Sequence, residues 1–147
     1  MRHPEWQFQK TAYVFLSKSL PPGSENQSND TSHHASRAAR MGDSARGIKA
    51  AWPDMVCVVA GFPEIYIELK AGRGDTSDSQ ESRGARLQAL GRHWFVAWTL
   101  EDIERELTRI GVPLAARTGT LIDLSHKPKA KKTAVRRPLG DKPSRRA

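Results

Sequence analysis

The chain has 147 residues, of which 37% are apolar and 27% are charged, so it has room for one domain with a small core. No stretch approaches the roughly 20 consecutive apolar residues that span a bilayer, and the N-terminus lacks the apolar segment of a secretory signal. The single cysteine, Cys57, excludes an internal disulfide and a thiolate zinc site. These features predict a cytoplasmic protein with no membrane partner.

The net charge of +8 is concentrated near the C-terminal end. Residues 126–147 hold nine basic residues and one acidic residue, whereas residues 1–125 hold 15 of each. A segment of this composition cannot bury enough apolar surface to fold, and its charge suits a nucleic acid. We therefore predict a domain over 1–116, with a flexible loop at about 21–46, and a disordered basic tail over 117–147. The tail residues expected to bind DNA include Lys127, Lys129, Lys131, Lys132, Arg136 and Arg137.

Hydrophobic patterning predicts a helix, a long loop, a hairpin, a helix, a strand and a helix, in that order. The capping-box pattern Ser77-x-x-Gln80 indicates where the second helix begins, and Thr99-x-x-Asp102 begins the last helix. The predicted elements are a helix over 4–16 that stops near Leu20, strands Met55 to Val59 and Ile65 to Leu69, helix 77–90, strand His93 to Trp98, and a helix from Thr99 to Ile110. This order predicts an α/β sandwich in which helices flank a small mixed sheet.

Asp54 and Glu68 lie opposite each other if the hairpin turns at Gly61, because paired residues in an antiparallel hairpin are symmetric about its turn. Lys70 then projects from the same face, roughly 6.6 Å further along its strand. The opposite face collects the apolar residues Met55, Cys57, Val59, Ile65, Ile67 and Leu69. Two carboxylates beside a lysine suit hydrolysis of a phosphodiester assisted by Mg²⁺ or Mn²⁺, whereas the alternative is a surface hairpin with an ordinary Glu–Lys pair.

The same residues carry a resemblance to a known family. Trp52-Pro53-Asp54, separated by thirteen residues from Glu68-Leu69-Lys70, resembles the motif of the PD-(D/E)xK nuclease superfamily. The longer run from Gly47 to Leu114 is similar to a stand-alone VRR-NUC domain of the phage and bacterial type. The resemblance implies a restriction-endonuclease-like fold and a metal-dependent DNA endonuclease that acts as a homodimer on branched DNA, such as Holliday junctions, in a bacterial or phage-infected cell.

The resemblance also implies roles for individual residues. Asp54 and Glu68 would be catalytic metal ligands, joined by the Leu69 carbonyl and by Glu5 on the first helix. Lys70 would be the catalytic lysine, and Gln80 would border the site as a further catalytic residue. Glu5 and Gln80 also have simpler interpretations, because an acid suits a helix N-terminus and a glutamine suits a capping box.

Positions outside the motif leave alternatives open. Ala51 stands where many relatives have glycine, which leaves open the backbone angles of the loop that enters the site. Lys49, Arg73 and Arg83 are expected to bind DNA, although Arg73, Arg83 and the nearby Arg86 could equally form a solvated charged face. Two other functions are weighed against the structure-selective nuclease. They are a non-catalytic nucleic-acid-binding protein that uses its basic tail, and a restriction or nicking enzyme of the same superfamily.

Overall fold

The computed structural model describes residues 4–29, 41–42, 45–47 and 49–119. The described residues form three helices and four strands: α1 (Pro4–Ser19), β1 (Glu25–Ser28), β2 (Met55–Val58), β3 (Ile65–Leu69), α2 (Asp78–Ala89), β4 (His93–Ala97) and α3 (Leu100–Ile110). The predicted α/β class is confirmed, and apart from β1 the elements follow the predicted order. The first helix ends at Ser19, next to the predicted stop near Leu20.

The four strands form one mixed sheet in the order β1-β2-β3-β4. β1 and β2 are antiparallel, β2 and β3 are antiparallel, and β3 and β4 are parallel. The parallel pair requires a crossover, which α2 supplies between β3 and β4. The prediction of a mixed sheet flanked by helices is therefore confirmed.

Strand β1 corrects the sequence interpretation. Its sequence Glu-Asn-Gln-Ser lies inside the predicted loop at about 21–46, and the loop prediction is wrong for these four residues. Glu25 pairs with Val58 and Ser28 pairs with Met55, so β1 extends the sheet at the outer edge of β2. A polar edge strand has no apolar alternation to reveal it, because its pairing is made through the backbone. Much of the remaining loop, over 30–40, 43–44 and 48, lies outside the described residues, as does the tail from residue 120 onward.

The core lies on one face of the sheet. Met55 and Cys57 of β2 and Ile65 and Ile67 of β3 are completely buried there, which confirms the predicted apolar face of the hairpin. Helices α1 and α3 cover this face with the buried residues Ala12, Phe15, Leu16, Ile103 and Leu107. Because α1 and α3 cover this face, the opposite face of the hairpin is left for polar residues and for α2.

Helix α2 lies close against β4 at a glycine. A Cβ atom added to Gly84 would overlap the indole ring of Trp94 far inside van der Waals contact. The predicted capping box at Ser77 is present and Thr99 forms another with Asp102, so Ser77 fixes the start of α2 and Thr99 fixes the start of α3. The position of α2 over the sheet is thus fixed by its N-cap and by the close approach at Gly84.

We expect Gly84→Ala to destabilise the protein by about 1–3 kcal/mol, because the methyl group must displace either Trp94 or the whole of α2. The direction of the change in stability tests the close approach, since helix propensity alone would make the alanine variant about 1 kcal/mol more stable than the wild type. Urea unfolding of the two proteins measures the difference. A variant more stable than the wild type would contradict the close approach.

Candidate active site

The hairpin has the register that the sequence predicts. Met55 pairs with Ile67 and Cys57 pairs with Ile65, so the paired residues are symmetric about Gly61. Gly61 has a φ of 81°, a left-handed conformation that glycine adopts without strain. Asp54 directly precedes β2 and Glu68 lies near the end of β3, so the register brings the two carboxyl groups together.

Glu68 and Lys70 are both buried, although both are charged residue types. Glu68 is 2% exposed and Lys70 is 8% exposed. The Lys70 Nζ atom lies 3.1 Å from Glu68 Oε1 and donates a hydrogen bond of 3.0 Å to Gln80 Oε1. Because both residues are withdrawn from solvent, the alternative interpretation of Glu68 and Lys70 as an ordinary surface pair does not fit the geometry.

Gln80 joins the start of α2 to this pair. Its Oε1 atom accepts from the backbone N–H of Ser77 at 2.9 Å, which completes the capping box, and also accepts from Lys70. Its Nε2 atom donates to Glu68 Oε1. The same amide therefore caps the helix and contacts the buried pair.

Asp54 is held by contacts from three elements. Its Oδ2 atom accepts from the backbone N–H of Leu69 at 2.7 Å. Its backbone carbonyl accepts from the N–H of Asn29 at 2.6 Å and from Gln9 Nε2 at 3.5 Å. Asn29 Nδ2 also donates to the carbonyl of Pro53 at 3.2 Å. Asn29 thus positions the Pro53-Asp54 backbone, a role that the sequence did not reveal because β1, which Asn29 follows, was not predicted.

Both carboxyl groups have a raised pKa in the folded protein. Burial and the neighbouring charge of Asp54 together raise the pKa of Glu68 to about 7, against the opposing effect of Lys70. Burial also raises the pKa of Asp54, partly offset by the hydrogen bond from Leu69. Burial is the largest cause of both shifts, so the fold disfavours the ionised form of each acid.

Oxygen ligands and an excess of buried negative charge fit a hard divalent cation. Mg²⁺ is commonly held by one or two carboxylates while water and substrate phosphate complete its shell, and Asp54 and Glu68 are such a pair. The Leu69 carbonyl lies between Glu68 and Lys70 in the chain. Glu5 lies exposed in the first turn of α1, near enough for its charge to contribute to the raised pKa of Asp54. Within the described ranges, no three His, Cys, Asp or Glu side chains gather as a metal cluster, so Glu5 is not brought to the carboxylate pair.

The loop before Asp54 contains a strained residue. Ala51 has a φ of 57°, in the left-handed region that favours glycine. Ala51 therefore adopts a backbone conformation that suits glycine, and this conformation costs an alanine about 1–2 kcal/mol. The strain lies three residues from Asp54, next to Trp52, where sparsely populated conformations are often retained for function.

Ala51→Gly is expected to stabilise the protein by about 0.5–1 kcal/mol, because relief of the left-handed strain exceeds the entropy that glycine adds to the unfolded chain. Ala50→Gly is the matched control, since it makes the same change one residue earlier and should not stabilise. Chemical unfolding of the three proteins provides the comparison. Equal effects at the two positions would argue against strain at Ala51.

The predicted basic residues of the domain differ in their surroundings. Lys49 and Arg73 are exposed on loops on either side of the hairpin. Arg83 is half-buried on α2, with its guanidinium over the ring of Trp52 at 5.3 Å from the ring centroid. The predicted tail residues lie outside the described residues. Arg83 is therefore the predicted cation whose side chain is fixed by the fold.

Comparison with known proteins supports the fold. The chain is similar to a solved structure described as a VRR_NUC domain protein, with a TM-score of 0.55 and 19% sequence identity over 75% of this chain and 89% of that chain. No family model and no curated protein matches the sequence. The similarity confirms the predicted VRR-NUC-like fold. None of the helices in the described part of the chain is long and apolar enough to cross a membrane.

Proposed function

We propose that this protein is a divalent-metal-dependent DNA endonuclease. The observation that carries the proposal is the group formed by the buried Glu68 and Lys70 with the half-buried Asp54 and Gln80, on a VRR-NUC-like fold. Burying an acid and a lysine beside a second, half-buried acid is costly unless the site has a ligand that needs them. A metal ion bound to a phosphodiester satisfies the acids and the lysine together.

Each residue of the site has a role in this proposal. Asp54 and Glu68 would hold Mg²⁺ or Mn²⁺, with the Leu69 carbonyl as a further ligand, while Glu5 on α1 acts on Asp54 only through its charge. The bound ion would polarise the scissile phosphate and lower the pKa of a water molecule. The Lys70 ammonium would offset negative charge on the phosphoryl oxygens, and Gln80 would hold the Lys70 and Glu68 side chains in position through its hydrogen bonds.

The alternative of a non-catalytic nucleic-acid-binding protein fits the carboxylates poorly. A protein that only binds phosphate gains nothing from holding Asp54 and Glu68 beside it, because ionised acids repel a phosphate. The raised pKa of Glu68 shows that burial there opposes the charged form. The pair is useful when a cation lies between the protein and the nucleic acid, as a metal-dependent nuclease requires.

The alternative of a restriction or nicking enzyme requires an element that reads bases. Sequence is read by side chains placed in a groove of the duplex, usually from a helix or a two-stranded ribbon. The three helices and four strands of the described residues form the sandwich itself, and none is presented as a separate reading element. We therefore favour selection of DNA by its shape.

The preferred substrate in this proposal is branched DNA, cut by a homodimer. One chain offers one carboxylate site and so cuts one strand. Two copies related by a twofold axis would present two sites of opposite polarity, which matches the symmetry of a four-way junction and allows paired incisions. The cytoplasm of a bacterial or phage-infected cell is the proposed location, and the buried, unpaired thiol of Cys57 is compatible with a reducing compartment.

One cleavage assay tests the proposal. Purified protein is incubated with labelled duplex, single strand, flap and four-way junction, with Mg²⁺, with Mn²⁺ and with EDTA. We expect metal-dependent cleavage that is strongest on the branched substrates, together with a dimer by light scattering. Lack of cleavage on every substrate would overturn the nuclease, whereas a monomer that cuts linear duplex equally well would overturn only the dimer and the substrate class.

A further inference from the structure

Arg83 is a cation with an incomplete set of partners. Its Nε atom is buried and donates no hydrogen bond, and among the described residues no carboxylate lies within ion-pair distance of its guanidinium. A buried charged donor without an acceptor is unfavourable. The fold nevertheless holds the side chain in place, since the guanidinium lies over the indole ring of Trp52.

The ring beneath Arg83 is itself fixed. Trp52 packs edge-to-face against Tyr66 of β3, with ring centroids 5.7 Å apart and planes at 86°. A cation over an indole gains about 0.5–2 kcal/mol, which offsets part of the cost of burying Arg83 and sets the orientation of its planar head group. Tyr66, Trp52 and Arg83 therefore form a stack in which each group restricts the next; we call it the Arg83 stack.

The Arg83 stack borders the carboxylate pair. Tyr66 lies two residues before Glu68 on the same face of β3, roughly 6.6 Å along the strand. Trp52 lies two residues before Asp54, and Arg83 lies one helical turn after Gln80. The chain connects the Arg83 stack to the carboxylate pair by three short routes: along β3, along the segment before β2 and along α2. An adjacent nucleotide of a bound strand can span the distance between them.

We propose that the Arg83 stack is a subsite for the phosphate next to the scissile phosphate on the strand that is cut. The proposal rests on the proposed nuclease function and adds a residue that binds substrate without touching the reacting atoms. A guanidinium is planar and always charged, and it presents paired donors that match the oxygens of a phosphate. A base is the less suitable occupant, because Arg83 already covers the face of Trp52 on which a base would stack. Trp52 acts as a positioning residue that orients Arg83.

The test compares Arg83→Ala with Lys18→Ala in the full chain. Lys18 is an exposed cation in the last turn of α1, so its replacement removes the same charge at the end of the helix far from Glu5 and the site. Binding of a labelled oligonucleotide is measured by fluorescence anisotropy in EDTA across a salt series, and cleavage kinetics are measured with Mg²⁺. We expect Arg83→Ala to weaken binding roughly tenfold and to reduce the salt slope by about 0.7–0.9, the value for one phosphate contact.

The kinetics separate this subsite from the reacting centre. Arg83→Ala should raise KM while leaving kcat largely unchanged, because the contact is the same in the ground state and the transition state. Trp52→Phe should preserve binding, whereas Trp52→Ala should reproduce part of the Arg83→Ala defect. Arg83→Lys should keep the salt slope but bind more weakly than the wild type, and it supplies the measurement if circular dichroism shows that Arg83→Ala is unfolded.

The possible failures are distinguishable. If the wild type cleaves DNA while Arg83→Ala and Lys18→Ala bind and cleave alike, the subsite is wrong and the nuclease stands. If kcat falls with KM unchanged, Arg83 acts at the reacting phosphate and the assignment to the neighbouring one is wrong. If the wild type neither binds nor cleaves DNA, both the proposed function and the subsite are overturned.

Discussion

Glu68→Gln should reduce metal-dependent DNA cleavage by about 10³-fold or more while leaving the protein folded. The substitution preserves the shape of a buried side chain and removes the negative charge that a metal ion requires. Asp54→Asn should have an effect of similar size for the same reason. Lys70→Ala should also abolish cleavage, because it removes the ammonium that lies 3.1 Å from Glu68 Oε1. Single-turnover cleavage of a labelled junction measures all three.

Glu68→Gln should also make the metal-free protein more stable, which distinguishes loss of charge from damage to the fold. The pKa of Glu68 is raised to about 7, so in the folded state this group keeps its proton to higher pH than in the unfolded chain. The unfolded chain therefore releases the proton first, and the stability of the wild type falls as the pH rises from about 4.5 to about 7. Glutamine resembles the protonated acid and does not suffer this loss.

In EDTA we expect Glu68→Gln to unfold at a higher temperature than the wild type, with a larger difference at pH 8 than at pH 5. The expected gain at pH 8 is on the order of 1–3 kcal/mol. Added Mg²⁺ should stabilise the wild type and not the variant, because binding to the folded state shifts unfolding by mass action. Glu64→Gln is the matched control, since Glu64 is a partly exposed acid paired with Arg92 and such pairs contribute little. Full cleavage activity in Glu68→Gln would overturn the site assignment.

The hairpin could be predicted because its determinants are local. Alternating apolar residues fix which face of each strand is buried, and the glycine-containing turn fixes the register, since a slip by one residue would invert both faces. The pairing of Met55 with Ile67 follows from these two constraints, and so does the meeting of Asp54 and Glu68. The capping box likewise placed Gln80 at the start of α2, within reach of the end of β3.

The contacts that complete the site depend on long-range packing and could not be predicted in this way. Asn29 reaches Asp54 because β1 pairs with β2, and a four-residue polar strand carries no local sign of that pairing. The sequence placed Arg83 among the basic residues near the site, but the position of its guanidinium over the ring of Trp52 depends on how closely α2 approaches the sheet. That approach is set by Gly84 against Trp94, a pair that the sequence separates by ten residues.

Removal of the tail after Ser125 should weaken DNA binding strongly while leaving metal-dependent cleavage intact at low salt. The removed segment carries nine of the 24 basic residues of the chain and leaves a formally neutral domain. Each phosphate contact contributes about 0.9 to the slope of log K against log salt on duplex DNA, so the loss of six contacts would lower the slope by about 5. Anisotropy titrations from low to physiological salt, with full-length and truncated protein side by side, measure this change.

A chain with the same tail residues in shuffled order is the control for this prediction. Contacts to phosphates depend on charge and carry no sequence information, so the shuffled tail should bind as well as the natural one. The domain retains Asp54, Glu68 and Lys70, and the truncated protein should therefore cut DNA once low salt or high concentration restores binding. If the truncated protein instead binds as tightly as the full chain at every salt concentration, the tail is not a DNA-binding arm, and the affinity must come from the exposed cations of the domain.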